Sequence, residues 1–327
     1  MSRNYVKPIL KQIDNFHSHD KPFDDALNVW LHKAYAEVIE KGKDMDWSKV
    51  YFSPSSSDMC PRALWHKAKK HKKDPVKPLP HQRRWTHLGE NIGDLFQMEF
   101  LLMARHYEKL VGEKPRFTMG IIDGKYPAFE EFTWKMHEVN HNGETFYLAG
   151  NGDGILHDNV EDKLIGLEVK STQQTPSKTN YRNMTSPKEA HIKQVVVYSM
   201  MYDLDTYLIL YYNGAKKAWF LSEEEYKDNP DLRIFQIDVT KNMQNDMLDF
   251  FSDIARRVRE NDPPLPDLRK WLFNPYKNAI AKTITDDEMA VLERTMNGLF
   301  ELGGYSKWEE RSIKEALEDL KRRRAKL

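Results

Sequence analysis

The fold of this chain is decided by two neighbouring stretches, Gly150-Asn151-Gly152-Asp153-Gly154-Ile155-Leu156 and Leu164-Ile165-Gly166-Leu167-Glu168-Val169-Lys170-Ser171. Successive side chains of a strand point to opposite faces, and apolar residues alternate with Glu168 and Lys170 in the second stretch. This alternation predicts a strand with one buried face and one charged face that lines a cleft. The polar connection between the stretches predicts an antiparallel hairpin, which places Asp153 and Glu168 on adjacent strands.

The charged groups of this hairpin are those that metal-dependent phosphodiester hydrolysis uses. Mg²⁺ and Mn²⁺ are hard cations that take oxygen ligands and keep several waters. The carboxylates of Asp153 and Glu168 and the backbone carbonyl of Val169 could supply part of such a ligand set. Lys170 could then position or deprotonate the attacking water. The alternative is a solvated strand face, because a bare Glu-x-Lys pattern is common and short motifs have a high false-positive rate.

Further motifs stand on both sides of the hairpin in a definite order. Upstream are Ser57-Asp58-Met59-Cys60-Pro61-Arg62-Ala63-Leu64-Trp65 and Leu88-Gly89-Glu90-Asn91-Ile92-Gly93-Asp94-Leu95-Phe96-Gln97. Downstream is His191-Ile192-Lys193-Gln194-Val195-Val196-Val197-Tyr198-Ser199. In this order the motifs resemble the RecB-like branch of the PD-(D/E)xK nuclease superfamily, which includes phage exonucleases and the CRISPR-associated adaptation nucleases. The resemblance runs from about residue 55 to about residue 266.

The resemblance implies a fold and a set of catalytic residues. The fold is a restriction-endonuclease-like α/β core, in which helices flank a mixed β-sheet. Asp153, Glu168 and Lys170 match the catalytic signature of the family. Gln194 and Tyr198 match its Gln-x-x-x-Tyr helix, and their spacing also places them on one helix face, where they could contact the scissile strand. The alternative for Tyr198 is packing in the core, which is usual for aromatic residues at helical spacing.

The chain departs from the family at one metal ligand. Many members carry a histidine four residues after the glycine that corresponds to Gly89, and here that position is Gly93. Glu90 or Asp94 could replace the missing ligand, and Glu90 shares a helix face with Gln97. A glycine inside a helix costs about 1 kcal/mol relative to alanine, so Gly93 is expected to permit close approach of backbone or substrate.

A single cysteine distinguishes the chain from relatives that hold an iron–sulfur cluster. Those relatives use four cysteines, the first in a Cys-Pro-Arg context, whereas this chain has Cys60-Pro61-Arg62 and no second cysteine. One thiolate cannot hold such a cluster, so we predict none. We expect the cysteine to be buried and the corresponding junction to be closed by packing of Trp271, Leu272, Phe273 and Tyr276. A lone cysteine also excludes an intramolecular disulfide.

Composition limits the class of protein further. The 327 residues are 40% hydrophobic, which is enough for a substantial core in one large domain or two smaller ones. No apolar run approaches the roughly 18 to 20 residues that span a bilayer, and residues 1–5 lack an apolar signal region. We therefore expect a soluble, cytoplasmic protein without a membrane partner. No P-loop pattern occurs, so a helicase motor is not expected in this chain, although a helicase or recombinase could be a partner.

A basic segment offers a nucleic-acid contact in a chain whose formal net charge is zero. Residues 62–87 contain nine lysines and arginines and one aspartate, with tryptophans and histidines between them. Basic side chains give salt-sensitive affinity for phosphates, and aromatic rings can stack on unpaired bases. The residues predicted to contact DNA are Arg62, Lys67, Arg83, Arg84 and Trp85. The alternative is a solvated lysine-rich loop.

Periodicity and turn signals predict the remaining elements. Helices are expected at 24–42, from Ser57 onward, at 82–108, at 187–201 and after Thr240. Strands are expected at 116–122, 130–139, 146–156, 206–212, 217–221 and 233–239. Beyond residue 275 two helices are expected, separated by Gly303 and Gly304.

The predicted organisation has three parts, an N-terminal helical segment (1–54), a nuclease core (55–275) and a C-terminal helical extension (276–327). The extension could pack as a hairpin, clamp DNA or bind a partner. The predicted function is that of a metal-dependent DNA nuclease, an exonuclease on DNA ends or single strands in phage-type recombination, replication or repair. A catalytically impaired nuclease fold that binds DNA or protein is the alternative. The sequence leaves open an RNA substrate, endonuclease action and end polarity.

Overall fold

A computed structural model describes residues 4–215 and 218–326 of the chain. Ten α-helices occur in these residues: α1 (Val6–His17), α2 (Asp25–Lys41), α3 (Pro61–Ala68), α4 (Pro80–Val111), α5 (Glu189–Tyr202), α6 (Glu223–Asp228), α7 (Lys241–Glu260), α8 (Lys277–Thr283), α9 (Asp286–Glu301) and α10 (Lys307–Arg324). Ten strands accompany them: β1 (Tyr51–Phe52), β2 (Phe117–Met119), β3 (Ile121–Ile122), β4 (Tyr126–Pro127), β5 (Lys135–His141), β6 (Glu144–Gly150), β7 (Gly154–Asp158), β8 (Lys163–Thr172), β9 (Thr206–Asn213) and β10 (Leu232–Asp238). The protein is therefore a mixed α/β protein with a helical C-terminal segment.

The chain divides into two compact units, each assembled from separate segments. The first unit contains Met1–Asp46, Pro78–His137 and Leu148–Asn245. The second contains Trp47–Lys77, Glu138–Tyr147 and Asp246–Leu327. The sequential division at residues 54 and 275 stays a prediction.

The first unit is organised around a five-stranded mixed sheet with the strand order β10-β9-β8-β7-β2. Strands β8 and β9 are parallel, and the other neighbouring pairs are antiparallel. A parallel pair needs a long crossover connection, and α5 lies between β8 and β9 in the chain. Strand β9, which lies between β10 and β8, is buried on both faces, which agrees with its aliphatic and aromatic sequence, Thr-Tyr-Leu-Ile-Leu-Tyr-Tyr-Asn.

The two faces of this sheet carry different side chains. On one face, Leu167 and Val169 of β8 belong to the same buried apolar cluster as Phe96 and Phe100 of α4. This burial confirms the predicted apolar face of the strand. On the other face, a Cβ at Gly166 would lie 2.1 Å from a ring carbon of Tyr207 of the neighbouring strand. Glycine is therefore required at that position, because the ring occupies the space of a side chain.

The second unit combines a small sheet with helices from the C-terminal part of the chain. The sheet has the order β1-β6-β5. The ring of Phe52 stacks on that of Phe251 with centroids 4.6 Å apart, and Phe146 contacts both rings. Helices α8, α9 and α10 contribute to one buried cluster, so the C-terminal extension forms packed helices and not an isolated arm.

The junction around Cys60 is partly as expected. Cys60 is buried in one cluster with Trp271 and Tyr276, as predicted. Its Sγ accepts a hydrogen bond of 3.3 Å from the backbone N–H of Asp267. The prediction is wrong for Leu272 and Phe273, which are 68% and 91% exposed. These two residues lie in a turn that follows Trp271, and the turn directs them away from the cluster that Trp271 joins.

Most predicted elements are confirmed, and the exceptions have local causes. The helix expected from Ser57 begins at Pro61, because Pro54–Ser56 forms a 3-10 turn and proline favours the first helical position. The strand expected at 130–139 begins only at residue 135, after the 3-10 turn Glu130–Thr133. Of the strand expected at 217–221, Lys217 lies outside the described residues, and 218–221 are not a strand. The strand expected at 146–156 is divided at 151–153 into β6 and β7, which belong to different sheets. Helices α1, α6 and α8 were not predicted.

Candidate active site

The hairpin of β7 and β8 brings the two predicted carboxylates together. In its antiparallel register Gly154 pairs with Leu167, so the residues Asp153 and Glu168 that flank this pair are neighbours. Asp153 Oδ2 accepts a hydrogen bond of 2.8 Å from the backbone N–H of Val169. The carboxylate of Asp153 is thus tied to the strand that carries Glu168.

Glu168 lies deeper than the sequence predicts. Its side chain is fully buried, whereas the alternation of β8 predicted a charged face lining an open cleft. The expectation of an open cleft at Glu168 is wrong because α5 packs against β8 and β9 and brings Tyr198 close to this carboxyl. Burial, followed by the nearby charge of Asp153, raises the pKa of Glu168 to about 8. In the absence of a bound cation, the carboxyl of Glu168 is therefore protonated at neutral pH.

Lys170 is the cation of the site. Its Nζ contacts Glu168 Oε1, a contact that becomes an ion pair when Glu168 is ionised, and the side chain keeps about a quarter of its exposure. Burial lowers the pKa of Lys170, but Glu168 and Asp153 outweigh that effect and leave the pKa raised. The pKa of Asp153 is also raised by burial, although Lys170 opposes the shift. Lys170 is consequently an ammonium group at neutral pH.

The contact with Lys170 leaves the second carboxyl oxygen of Glu168 without a partner. Among the described residues, Glu168 Oε2 accepts no hydrogen bond, although it is buried. A buried carboxylate oxygen without a donor is unfavourable unless a cation or water meets it. This unpaired oxygen, the carboxylate of Asp153 and the carbonyl of Val169 are oxygen donors of the kind that Mg²⁺ and Mn²⁺ prefer. The residues present fit a divalent cation.

His191 and Tyr211 lie beside Lys170, and neither was predicted to take part in the site. His191 Nδ1 is 2.7 Å from the hydroxyl oxygen of Tyr211, which also accepts a hydrogen bond of 3.1 Å from the N–H of Lys188. Because the tyrosine oxygen accepts from Lys188, its proton is available for Nδ1 of the histidine. Burial, followed by the charges of Lys170 and Lys188, lowers the pKa of His191 to about 4. The imidazole is therefore neutral at physiological pH.

The predicted Gln-x-x-x-Tyr helix is α5, and its tyrosine contacts the protein backbone. Tyr198 is 5% exposed, and its hydroxyl donates a hydrogen bond of 2.6 Å to the carbonyl of Asn151. Gln194 hydrogen-bonds the same phenol. These contacts agree with the alternative in which Tyr198 packs in the core. Contact of Gln194 with a substrate strand stays a prediction.

Helix α4 carries the residues that were expected to replace the missing histidine. A Cβ at Gly89 would lie 3.3 Å from Ser171 Oγ, so this helix runs beside the end of β8. No atom lies within 4 Å of a Cβ placed at Gly93. Close approach of the protein backbone therefore does not explain that glycine. Glu90 and Asp94 are exposed side chains on the same helix.

Asp94 has a neighbour that the sequence did not predict. Burial, followed by the neighbouring carboxylate of Asp94, raises the pKa of Glu130 to about 7. Gln97 Nε2 lies 3.3 Å from Glu130 Oε1 and donates a hydrogen bond of 3.0 Å to the carbonyl of Asp153. No three acidic, histidine or cysteine residues within 4–215 and 218–326 form a group that could hold a metal ion. Metal binding by Glu90 or Asp94 stays a prediction.

The predicted DNA contacts occupy different environments. Arg62 is fully buried and pairs with Glu288 at 2.7 Å, so its guanidinium cannot reach a phosphate and the prediction for this residue is wrong. Lys67 donates a hydrogen bond of 2.9 Å to Ser53, and burial, followed by Lys73, lowers its pKa to about 8.

The other three residues predicted to contact DNA lie near the start of α4. Arg83 and Arg84 are exposed, and Trp85 is 49% exposed. They belong to the first unit, whereas Arg62 and Lys67 belong to the second. Arg83, Arg84 and Trp85 therefore remain accessible candidates for DNA contact.

Comparisons with known proteins show a distant likeness to exonucleases. No protein-family model matches the chain, and no curated protein matches it. Among solved structures, SSO0001 is similar with a TM-score of 0.42 and 12% identity, over 80% of this chain and 98% of that one. A phage-related exonuclease from Haemophilus somnus 129PT has a TM-score of 0.26 and 11% identity, over 39% and 61% of the chains. The alkaline exonuclease LHK-Exo from Laribacter hongkongensis has a TM-score of 0.29 and 10% identity, over 65% and 93%. Values this low assign no role to any residue.

A membrane-spanning helix must be both long and apolar. In 4–215 and 218–326, no helix is both long enough and apolar enough to cross a membrane.

Proposed function

We propose that this chain is a divalent-metal-dependent nuclease that hydrolyses phosphodiester bonds in DNA, of the RecB-like PD-(D/E)xK kind. One observation carries the proposal. Asp153 and Glu168 lie side by side with the ammonium of Lys170, and Glu168 Oε2 is buried without a hydrogen-bond donor. Structural packing alone gives no reason to bury two carboxylates beside each other, since the charge of Asp153 raises the pKa of Glu168.

The carboxylates of Asp153 and Glu168 and the carbonyl of Val169 would hold Mg²⁺ or Mn²⁺. When bound, such a cation lowers the pKa of a coordinated water and stabilises the charge that develops on the phosphate. Glu168 must lose its proton to serve as a ligand, and the ammonium of Lys170 favours that loss. The hydrogen bond from Val169 keeps one oxygen of Asp153 oriented along β8.

Lys170 has the properties of a donor and not of a base. Its raised pKa keeps the amine protonated, so the ammonium can donate hydrogen bonds to the attacking water or to a phosphate oxygen. Of the two roles expected for Lys170, we therefore propose that it positions the attacking water and does not deprotonate it. The imidazole of His191 lies near Lys170 and is neutral, so it does not add positive charge to the site.

Substrate approach is assigned to the exposed start of α4. Arg83 and Arg84 supply positive charge for phosphates, and Trp85 supplies an aromatic face for an unpaired base. An exonuclease that acts on DNA ends or single strands, alone or with a recombinase or helicase as partner, would present unpaired bases to this surface. The second candidate function is a catalytically impaired nuclease fold that binds DNA, because Glu168 is fully buried and already paired with Lys170.

Degradation of labelled DNA separates these functions. Wild type is incubated with Mg²⁺, Mn²⁺ or a chelator, beside Asp153→Asn, Glu168→Gln and Lys170→Ala. The matched control is Asp162→Asn, which neutralises an exposed carboxylate on the loop of the same hairpin. We expect metal-dependent product from wild type and from the control only. No product from wild type with either metal would reject the enzyme and favour the binding module.

The choice of substrates distinguishes an exonuclease from an endonuclease and DNA from RNA as the substrate. Linear, end-blocked and circular DNA are digested in parallel with an RNA of the same sequence. An exonuclease leaves circular DNA intact and is stopped by blocked ends, whereas an endonuclease cuts both. Faster cleavage of the RNA would replace DNA as the assigned substrate.

A further inference from the structure

Three consecutive backbone carbonyls before β7 are each held by a different part of the first unit. The carbonyl of Asn151 accepts from the Tyr198 hydroxyl at 2.6 Å. That of Gly152 accepts from the backbone N–H of Glu130 at 3.0 Å. That of Asp153 accepts from Gln97 Nε2 at 3.0 Å. The turn that delivers Asp153 to the site is therefore fixed from α5, α4 and the 3-10 turn that precedes β5.

Two hydroxyl groups hold the middle of this turn. The N–H of Gly152 lies 3.1 Å from Thr133 Oγ1 and 3.1 Å from the Tyr202 oxygen. The Tyr202 hydroxyl donates at 2.9 Å to the carbonyl of Thr133, which links the two groups. Thr133 Oγ1 also lies 2.8 Å from the carbonyl of Glu130 and 3.2 Å from that of Gly152, between which its proton is shared. We name Thr133 and Tyr202 the hydroxyl pair.

The turn around Gly152 is buried and closely packed. Thr133 is 4% exposed, so water does not compete with its hydrogen bonds. A Cβ at Gly152 would lie 3.3 Å from a ring carbon of Tyr202, which shows how closely the ring approaches the turn. The rings of Tyr198 and Tyr202 stack with centroids 5.9 Å apart. The turn is thus enclosed by packed groups.

We propose that Thr133 and Tyr202 are positioning residues, which act through Gly152 to hold the carboxylate of Asp153 beside Glu168 for a divalent cation. The metal-binding part of this inference rests on the proposed function. A glycine-rich turn has high conformational entropy, and a buried carboxylate beside another is repelled by it. Without the hydroxyl pair the turn can relax, and Asp153 Oδ2 then loses its hydrogen bond from Val169.

Groups that orient a metal ligand have measurable effects. Mutation of such partners typically weakens metal affinity or activity by about 10- to 100-fold. A positioning role therefore predicts weaker cation binding and a lower kcat, with little change in the KM for DNA. A purely structural role would lower the melting temperature and leave these quantities unchanged in the folded protein.

Conservative variants test the pair. Tyr202→Phe keeps the stacked ring and removes both hydrogen bonds of the hydroxyl. Thr133→Val removes the hydroxyl and keeps the shape, whereas Thr133→Ser keeps the hydroxyl and serves as the rescue variant. Tyr226→Phe is the matched control, since its hydroxyl donates to Asp231 at 3.0 Å on an exposed part of the first unit.

Three measurements are made on the full chain. Amide hydrogen exchange at Gly152 and Val169 reports on the turn and on the Asp153 hydrogen bond without any metal. Calorimetric titration with Mn²⁺ and steady-state kinetics on linear DNA report on the site. We expect faster exchange at both amides, about 10-fold weaker Mn²⁺ binding and a lower kcat in Tyr202→Phe and Thr133→Val, with Thr133→Ser and Tyr226→Phe close to wild type.

The outcomes separate this inference from the proposed function. Unchanged exchange at Val169 in both Tyr202→Phe and Thr133→Val would overturn the positioning role. Faster exchange together with unchanged Mn²⁺ binding would overturn its link to the cation. If wild type neither binds Mn²⁺ nor cleaves DNA, the proposed function fails, and the exchange at Val169 alone decides whether the hydroxyl pair holds Asp153.

Discussion

The carboxylate of Asp153 accepts a hydrogen bond of 2.8 Å from the backbone N–H of Val169, the residue that follows Glu168. This contact joins the turn before β7 to the charged strand and sets the two carboxylates side by side. Both carboxyl groups have a raised pKa, and burial is the largest cause for each. The candidate site therefore carries an energetic cost that a divalent cation would offset.

The first prediction concerns the pH dependence of stability. The pKa of Glu168 is raised from 4.5 to about 8 in the folded protein, so between these values the native state holds a proton that the unfolded state has lost. The free energy of unfolding must then fall as pH rises through this range. We expect Glu168→Gln to reduce this slope, since glutamine cannot ionise. Urea unfolding between pH 5 and pH 9 with a chelator present measures it.

The control for this prediction is Glu224→Gln, which makes the same substitution at an exposed carboxylate of α6. It should follow the wild-type slope over the whole pH range. Equal slopes for wild type and Glu168→Gln would mean that Glu168 is charged in the folded protein without metal.

The second prediction concerns the buried Arg62. Its guanidinium donates to Glu288 at 2.7 Å, to the carbonyl of Pro264 at 3.2 Å and to Thr283 at 3.2 Å. Removing one partner of a buried ion pair typically costs about 3 to 5 kcal/mol. We expect Arg62→Met to lower the free energy of unfolding by about 3 kcal/mol, because Glu288 keeps some exposure. Chemical denaturation measures the change.

An exposed ion pair provides the comparison for Arg62. Arg311 pairs with Glu315 on α10 and is 79% exposed, so Arg311→Met should cost less than about 1 kcal/mol. An Arg62→Met variant as stable as wild type, but weaker in DNA binding, would restore Arg62 as a DNA contact.

The third prediction concerns Gly93. Nothing lies within 4 Å of a Cβ at this position of α4, and the residue has no positive φ. Gly93→Ala should therefore stabilise the protein by about 0.4 to 1 kcal/mol. Gly298 of α9 has equally open surroundings, and Gly298→Ala is the matched control. Thermal unfolding measures both changes.

Nuclease activity adds a second readout for the two glycine variants. If Gly93→Ala lowers activity while Gly298→Ala does not, the open space at Gly93 is used by substrate. Equal activity of both variants would mean that the substrate does not approach this glycine.

The fourth prediction concerns the exposed start of α4. Each alanine substitution at Arg83 or Arg84 should weaken binding to single-stranded DNA and reduce the slope of log affinity against log salt by roughly 0.7. Trp85→Ala should cost about 1 to 3 kcal/mol of binding with little change in that slope, because stacking is not ionic. Fluorescence anisotropy at several salt concentrations measures these effects. Arg311→Ala is the control, and identical slopes for all variants would exclude this surface.

Local patterns predicted much of the fold. Helices α2, α4, α5 and α7 and strands β8 to β10 follow from apolar periodicity and turn residues, and Thr240 caps α7 through a hydrogen bond of 3.3 Å from the N–H of Met243. The hairpin of β7 and β8 also followed from its polar connection. The misplaced helix at Ser57 and the late start of β5 arose at 3-10 turns, where only a few residues set the geometry.

The sequence by itself determined which residues form the charged hairpin, since alternation along β8 fixes the face of Glu168 and Lys170. Only the tertiary structure decided how deeply Glu168 is buried, because that depends on α5, which covers the strand from elsewhere in the chain. The tertiary structure also decided the contacts of Arg62, Thr133, Tyr202 and Glu130, because the partners of these residues are distant in sequence. Periodicity reports the direction of a side chain, whereas burial, ion pairing and pKa depend on what packs against it.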